Sequence, residues 1–335
     1  MFDHTTDPTD LRLMDEFQRD LPLVPRPFAV MAAALGMDEA EVISRLAALQ
    51  EAGQISRVGA TCRPNCAGAS TLAALAIPAD RIEAVAAIVG AEPGVNHSYL
   101  REDEWNLWFV ATAPDPEALA VSLTRIEAAS GLPVLSLPLV TPYNIDLGFR
   151  LNGPRRAMAP DRPADMSVLQ DGDRPLMHAL STGLPLVPRP FAALAEMLGR
   201  SEHVIIGRIA ALSRARLLTR VGVIVRHRRL GYRANAMVVW NLPDDRIDAA
   251  GRALAATPGV TLSYRRRAVP GVWDWPLFCM IHARSRPEAL TVLDQARALP
   301  QLAGAAHKVL FSTRCFKQTG ALIAAPSAPV ERPES

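Results

Sequence analysis

Apolar positions near the start of the chain recur at helical spacing in three short runs, then change to alternation. Thr9–Arg19 predicts a first helix. Arg26-Pro27-Phe28 opens a second, with proline in the first turn, where its missing N–H is harmless, and Gly36 at its end. Asp38 is placed to cap a third helix that runs to about Gly53, with Glu41 three residues on to complete a capping box. Ile43, Leu46, Ala47 and Leu49 are the positions expected on its buried face. Gln54–Arg63 then reads as a β wing. From there the pattern predicts a strand at Leu72–Ile77, a helix at Asp80–Val89, and strands at Val95–Leu100 and Trp105–Ala111. A helix at Glu117–Ala129 and a strand at Val134–Thr141 complete the series.

The series occurs twice. Leu21-Pro22-Leu23-Val24-Pro25-Arg26-Pro27-Phe28-Ala29 returns letter for letter as Leu184 to Ala192. Arg57-Val58-Gly59 matches Arg220-Val221-Gly222, and Ser98-Tyr99-x-Arg101 matches Ser263-Tyr264-x-Arg266. A period this long marks a domain duplication and excludes a solenoid of short repeats. The second βαββαβ series predicts Ala236–Asn241, Arg246–Ala255, Val260–Arg265, Trp275–Ile281, Pro287–Ala298 and His307–Ser312.

Three short helices and a wing make a winged helix-turn-helix, and the order βαββαβ is the ferredoxin-like split βαβ plan. The expected fold class is therefore α+β, a duplicated unit of winged helix-turn-helix plus ferredoxin-like domain. The boundaries expected are 9–63 and 64–151 for the first copy, a polar, proline-rich linker at 152–173, 174–228 and 229–320 for the second copy, and a tail at 321–335.

Charge adds an asymmetry that the net value of +2 hides. Residues 1–163 hold 13 Arg and no Lys against 21 acids, a balance of −8; residues 164–335 hold 23 basic residues against 13 acids, a balance of +10. Either the opposite halves attract each other or the basic half faces a polyanion; an intramolecular pseudo-dimer is expected, with a further homodimer or partner subunits left open. No apolar run is long enough to span a bilayer, and the first residues are acidic and lack an apolar stretch. The expectation is a cytoplasmic protein with no membrane partner. Cys62-x3-Cys66 has no second Cys/His pair nearby, which argues against zinc, and no metal site is expected.

Period two places His97, Tyr99 and Arg101 on one face of a strand. The same face in the second copy carries Leu262, Tyr264 and Arg266, so the copies differ chemically. His227, between Arg226 and Arg228, stands in the second wing where the first copy has Pro64-Asn65. It reads either as part of a solvated basic wing or as an acid over an anionic ligand. Trp105 and Trp275 are candidates for stacking on a flat ligand. His282 and His307, beside basic residues, are weaker candidates.

The arrangement resembles the Lrp/AsnC family of ligand-responsive regulators. Ser56-Arg57-Val58-Gly59, Val95-Asn96-His97-Ser98-Tyr99-Leu100-Arg101-Glu102 and Trp105-Asn106-Leu107-Trp108-Phe109 resemble, more narrowly, the D-type subunit of siroheme decarboxylase. Val225-Arg226-His227 through Trp240, Leu277-Phe278-Cys279-Met280-Ile281-His282 and Phe316-Lys317-Gln318 resemble its L-type partner. The resemblance implies a natural fusion acting on siroheme, an iron isobacteriochlorin with eight carboxylates. It implies loss of two CO2 from acetate side chains to give 12,18-didecarboxysiroheme in heme d1 biosynthesis, without an added cofactor, the iron entering with the substrate. His97 and His227 are then the candidate catalytic residues. Tyr99, Arg101, Trp105, Arg226, Tyr264 and Arg266 are the candidate substrate-binding residues. A DNA-binding regulator is the alternative reading. It is disfavoured because the third helix carries Asp38, Glu39, Glu41 and Glu51 against Arg45, and phosphate repels such a surface. A non-catalytic tetrapyrrole-binding partner is the third.

Overall fold

The computed structural model describes residues 7–145, 148, 151 and 162–320. The first part of the expected linker and the tail at 321–335 lie outside the described residues. The first copy opens with α1 (Pro8–Glu16), α2 (Pro27–Leu35) and α3 (Glu39–Glu51). Pro27 takes the first turn of α2, and Gly36 caps its end with φ +73°. Asp38 sits at the cap of α3, but its side chain accepts no capping hydrogen bond, and Glu41 accepts from Arg45 at 2.9 Å. The expected capping box is absent because the salt bridge one turn along takes its glutamate.

A larger difference concerns the wing. β1 (Ile55–Cys62) is a single strand with no hairpin partner in its own copy. It pairs antiparallel with β6 (Leu218–Val225) of the second copy, Gly59 opposite Gly222. A lone strand leaves a row of N–H and C=O groups unpaired, and the duplicate supplies the partner.

The rest of the first copy is β2 (Ala69–Leu75), a 3-10 turn and α4 (Ile82–Ala91), β3 (Val95–Arg101), β4 (Leu107–Ala113), α5 (Pro116–Ser130) and β5 (Leu135–Asn144). The second copy begins with α6 (Asp173–Thr182), α7 (Pro190–Met197) and α8 (Glu202–Arg214) ahead of β6. α6 therefore starts inside the segment expected to be linker. Asp173 is fully buried there, paired with Arg208, so a residue that reads as solvent-exposed is an internal anchor. β7 (Ala234–Asn241), α9 (Asp244–Ala256), β8 (Val260–Arg266), β9 (Leu277–Ala283), α10 (Arg286–Arg297) and β10 (Ala306–Gln318) follow.

The two four-stranded sheets do not stack. Their edges join, β5 to β8 and β10 to β3, and close an eight-stranded barrel in the order β10-β3-β4-β2-β5-β8-β9-β7. β10 is long enough to pair with β7 through its first half and with β3 through its second. The helical parts of both copies share one core, in which Phe28 and Phe191 of the repeated nonapeptide are both fully buried. Each such ring contributes about 1.5–3 kcal/mol. A separate cluster fills part of the barrel interior, including Leu137, Trp108, Met237, Phe278 and Leu310. Arg314 and Arg286 of the second copy pair with Glu83 and Glu102 of the first, and Lys308 lies 3.1 Å from Asp103. The acid comes from the first copy each time, as the charge balance implies. Exposed pairs of this kind contribute about 0–1 kcal/mol each, so the strand ladders hold the copies together.

The β1–β6 ribbon lies so close to the helical segments that side chains are excluded at its centre. A Cβ added at Gly222 would lie 2.4 Å from the Phe17 carbonyl oxygen, and one at Gly59 2.4 Å from that of Leu180. Gly222→Ala should therefore lower stability by roughly 1–3 kcal/mol, as over-packing against backbone does. Gly207→Ala, inside α8 with nothing beyond its own stretch of helix within 4 Å of the new Cβ, should raise it by about 0.5–1 kcal/mol. Urea denaturation midpoints check both, and equal shifts of one sign would refute the close-approach account.

Candidate functional site

Side chains on alternate residues of each barrel strand point inward. Opposite Val110 and Trp108 of β4 stand His97 and Tyr99 of β3, and opposite Met280 and Phe278 of β9 stand Leu262 and Tyr264 of β8. The face expected for His97, Tyr99 and Arg101 is thus the barrel interior. Before His97 the ladder carries a bulge: Val95 pairs with Ala111 and His97 with Val110, leaving Asn96 as the extra residue. The second copy repeats the bulge with Thr261.

One side of the interior is packed with aromatic rings, Trp108 against Trp273 at 5.0 Å and Tyr264 against Phe278 at 5.6 Å between centroids. On the other side a cavity of about 400 Å³ extends from the barrel wall to the β1–β6 ribbon. This volume lies in the roughly 300–1,000 Å³ range of small-molecule sites. Arg57, Arg63, Arg220 and Arg266 line it together with His97, His227, Asn96 and Tyr264. Apolar and small residues of β1, β2 and the loop between them complete the wall. No aspartate or glutamate occurs among the described lining residues.

Cations gathered in a dry place resist their own charge. Burial, followed by the neighbouring Arg220, pushes the Arg57 guanidinium down to about 10. Arg57 Nη2 donates to the Ala60 carbonyl at 3.0 Å, and Arg266 Nη1 to that of Leu137 at 2.7 Å. Burial also lowers Arg266. His97 is pushed down to about 4 by burial and then by Arg57. His227 falls well below the ordinary imidazole value through burial, His282 and Arg220. Both imidazoles are therefore neutral at pH 7 while the cavity holds no anion. A ligand carboxylate reverses the balance, because a negative neighbour favours the charged ring.

Of the residues expected at a site, the structure brings His97, His227, Tyr264 and Arg266 to this cavity, while Tyr99, Arg101, Trp105 and Arg226 are not among its lining residues. The Tyr99 ring lies beside that of His97, centroids 6.4 Å apart. Trp105 packs against the aromatic cluster, and its carbonyl accepts from Trp108 Nε1 at 2.5 Å. Trp275 does the same for Trp273 Nε1 at 3.1 Å. Arg226 continues the β1–β6 ribbon, its N–H donating to the Gln54 carbonyl at 2.8 Å and its guanidinium lying near Gly53. Sequence reasoning missed Arg57 and Arg220 as lining residues. The signal was their recurrence at equivalent places in the repeat. A wing read within its own copy gave no reason to turn them toward the barrel.

Arg101 is held in the position that mirrors the cavity in the second copy. Its guanidinium donates to Asn235 Oδ1 at 3.2 Å and to the Leu310 carbonyl at 3.0 Å. Asn235 contacts His282 Nε2 at 2.7 Å, and His282 Nδ1 lies 2.7 Å from Thr261 Oγ1. All four residues are buried. The strand ladders align Asn235 and His282 with Ser70 and Thr112 of the first copy, two smaller residues that line the cavity. Larger side chains thus fill in one copy what is open in the other. Among the described residues no cluster of His, Cys, Asp or Glu is arranged to hold a metal ion. No described helix is long and apolar enough to cross a membrane.

Comparison with known proteins agrees with this architecture. A family model described as the siroheme decarboxylase NirDL-like HTH domain matches residues 10–55 and 173–218. A model of the AsnC-like ligand binding domain matches 67–143 and 229–317. The chain is 68% identical over 324 residues to a siroheme decarboxylase NirDL subunit of Paracoccus denitrificans, covering 97% of this chain and 100% of that one. It is 30% identical over 314 residues to a siroheme decarboxylase of Hydrogenobacter thermophilus, covering 92% of each. The crystal structure of a siroheme decarboxylase NirDL in co-complex with an iron-uroporphyrin III analogue superposes with a TM-score of 0.64. Sequence identity to it is 26%, covering 93% of this chain and 92% of that one. With both halves matched in order and nearly the whole length shared, the chain belongs to the siroheme decarboxylase NirDL family.

Proposed function

We propose that this protein decarboxylates siroheme, removing CO2 from the acetates at C12 and C18 to give 12,18-didecarboxysiroheme in heme d1 biosynthesis. It is a carbon-carbon lyase. The observation that carries the reading is the cavity between the ribbon and the barrel, lined by four arginines and two neutral imidazoles with no carboxylate among its described residues. Such a chamber is complementary to a polyanion, and its arginines can fork onto carboxylates.

Each decarboxylation breaks one C–C bond. The carboxylate leaves as CO2, its bonding pair passes to the former methylene carbon, where the conjugated ring delocalises it, and that carbon takes up a proton to become methyl. One proton enters per CO2 released, and no electrons are exchanged with a second reagent. The iron arrives with the substrate, and no separate cofactor is required by this balance. Arg57, Arg220 and Arg266 hold peripheral carboxylates, while the apolar wall strips water from the departing one. His97 and His227, neutral before binding, take up protons as the substrate's negative charge enters and deliver them to the carbon. The work takes place in the cytoplasm, with the two copies forming one pseudo-dimeric enzyme. A DNA-reading role has little left to use: Arg208 of α8 is bound to buried Asp173, and Arg200 to the Gly172 carbonyl at 2.7 Å.

Purified protein given siroheme without oxygen should release two CO2 per macrocycle and consume no co-substrate, as mass spectrometry will show. Unchanged siroheme alongside intact binding would point to a non-catalytic partner.

His97→Ala and His227→Ala should each keep binding and reduce turnover by roughly 10²–10⁴-fold, the range for general acid–base groups. Arg266→Ala should weaken binding first, by roughly 1.5–3 kcal/mol for a lost charge-assisted hydrogen bond. Titrations with the iron-uroporphyrin analogue separate the two classes, and wild-type turnover in both histidine variants would remove those residues from the mechanism.

In the ligand-free protein the His97 imidazole should titrate near its depressed value of about 4. Saturation with metal-free uroporphyrin should raise it, because ligand carboxylates favour the protonated ring. NMR of the ring signals between pH 3.5 and 8 measures both, and a value that does not rise on binding would contradict substrate-driven protonation.

A further inference from the structure

We propose that Asn96 is a positioning residue for His97, holding the imidazole as the Nδ1–H tautomer so that Nε2 is the nitrogen that handles the proton. This rests on the decarboxylase reading above and adds to it a residue that the composition of the site alone does not single out.

The argument begins with the bulge in β3. In a regular strand two adjacent residues face opposite sides of the sheet. The extra residue between Val95 and His97 breaks that alternation, so Asn96 and His97 share the cavity side. Asn96 Oδ1 then lies 2.6 Å from His97 Nδ1. Asn96 is 3% exposed, so its amide depends on protein partners.

The direction of the bond follows from where the chain of hydrogen bonds ends. The Gly94 carbonyl can only accept, and Thr112 Oγ1 donates to it at 3.2 Å. With its proton committed there, the Thr112 oxygen accepts from Asn96 Nδ2, at 3.4 Å. The amide nitrogen therefore faces Thr112 and the amide oxygen faces His97. An amide oxygen can only accept, so His97 Nδ1 carries the hydrogen. In the neutral ring Nε2 is then the basic nitrogen. The main chain is fixed as well: the N–H and the hydroxyl of Thr319, just past β10, donate to the Asn96 carbonyl at 2.7 and 3.3 Å.

The second copy shows the same device used differently. Thr261, the bulge residue there, donates to the Met280 carbonyl at 3.0 Å and accepts from His282 Nδ1. Asn235 occupies His282 Nε2 and is itself tied to Arg101. His282 has both nitrogens engaged and serves structure, while the His97 relay stops at Nδ1. Among the described residues, the charged and titratable groups around His97 are Arg57 and Cys62 from β1, Arg63 and Cys66 just after it, Arg220 from β6, Tyr99 on its own strand, Tyr264 and Arg266 from β8, and His227 after the ribbon. None of these is a carboxylate.

The test uses the full chain as wild type, Asn96→Ala and Asn96→Asp. Imidazole nitrogen shifts of the ligand-free wild type should show Nδ1 protonated and Nε2 bare. Asn96→Ala should lose this single tautomer and lower kcat by about 10–100-fold, the cost typical of removing a histidine's orienting partner. KM and affinity for the iron-uroporphyrin analogue should stay within about twofold, since the Asn96 amide is already engaged by His97 and Thr112. Asn96→Asp, nearly isosteric, should keep the tautomer and move the alkaline limb of the pH–rate profile upward, because an adjacent carboxylate favours the protonated ring that donates the proton. An Nε2–H tautomer in the wild type, or wild-type kcat in Asn96→Ala, would overturn the assignment. Expected nitrogen shifts in a wild-type protein that leaves siroheme unchanged would instead overturn the decarboxylase reading and leave the tautomer assignment standing.

Discussion

Unpaired strand edges are the constraint from which the rest of this structure follows. Each copy ends its four-stranded sheet in two open edges and carries one further strand, β1 or β6, with no partner of its own. Exposed edges of that kind pair with something, and a duplicated chain always has the complementary edge at hand. Closing β5 on β8 and β10 on β3 makes a barrel, and pairing β1 with β6 lays a ribbon across it. The cavity exists only because both closures occur, since its walls come from strands of both copies. Surface ion pairs between the acidic and basic halves reinforce an arrangement that the ladders impose.

Within that chamber the electrostatics run against the apo protein. A guanidinium depressed by burial and by a neighbouring arginine, and an imidazole held neutral by burial, represent unfavourable energy that a bound polyanion relieves. Preorganised charge of this sort is worth more in a dry site than in water, and it requires no rearrangement during reaction. The same logic underlies the proposal that a histidine with a low intrinsic affinity for protons serves as an acid. In that proposal its proton is taken up with the substrate's charge; CO2 leaves neutral, and delivery of the proton to the carbon that keeps the bonding pair returns the ring to neutrality.

Duplication gave two copies of one design, and a few substitutions separated their uses. Ser70 and Thr112 leave room where Asn235 and His282 fill it, and His97 stands where the second copy has Leu262. Arg101 and Arg266 show the consequence. They occupy equivalent strand positions, yet Arg101 is bound into the closed network and Arg266 lines the open cavity. Equivalent sequence positions in a pseudo-dimer therefore do not share a role once one chamber is closed.

How much of this was legible beforehand depends on range. The repeated nonapeptide, the helical and alternating periods and the order βαββαβ are local patterns, and they determined the duplicated α+β architecture. The inward face of His97, Tyr99 and Arg101 was also local, because period two holds beyond the bulge. The bulge itself was not legible: an extra residue in a strand is defined by the ladder of its partner, and Val95-Asn96-His97 looks like unbroken alternation. Nor was the ribbon, since a strand's sequence does not say whether it folds back on its own copy or meets the other. That choice decided that Arg57 and Arg220 face the barrel and that Arg226 stands apart from the cavity lining, while packing inside the closed barrel placed Trp105 in the aromatic cluster and locked Arg101 away. Sequence determined which chemistry was present and on which faces. Only the tertiary structure decided which faces meet, because edge pairing and side-chain filling are long-range events that depend on what the other copy presents.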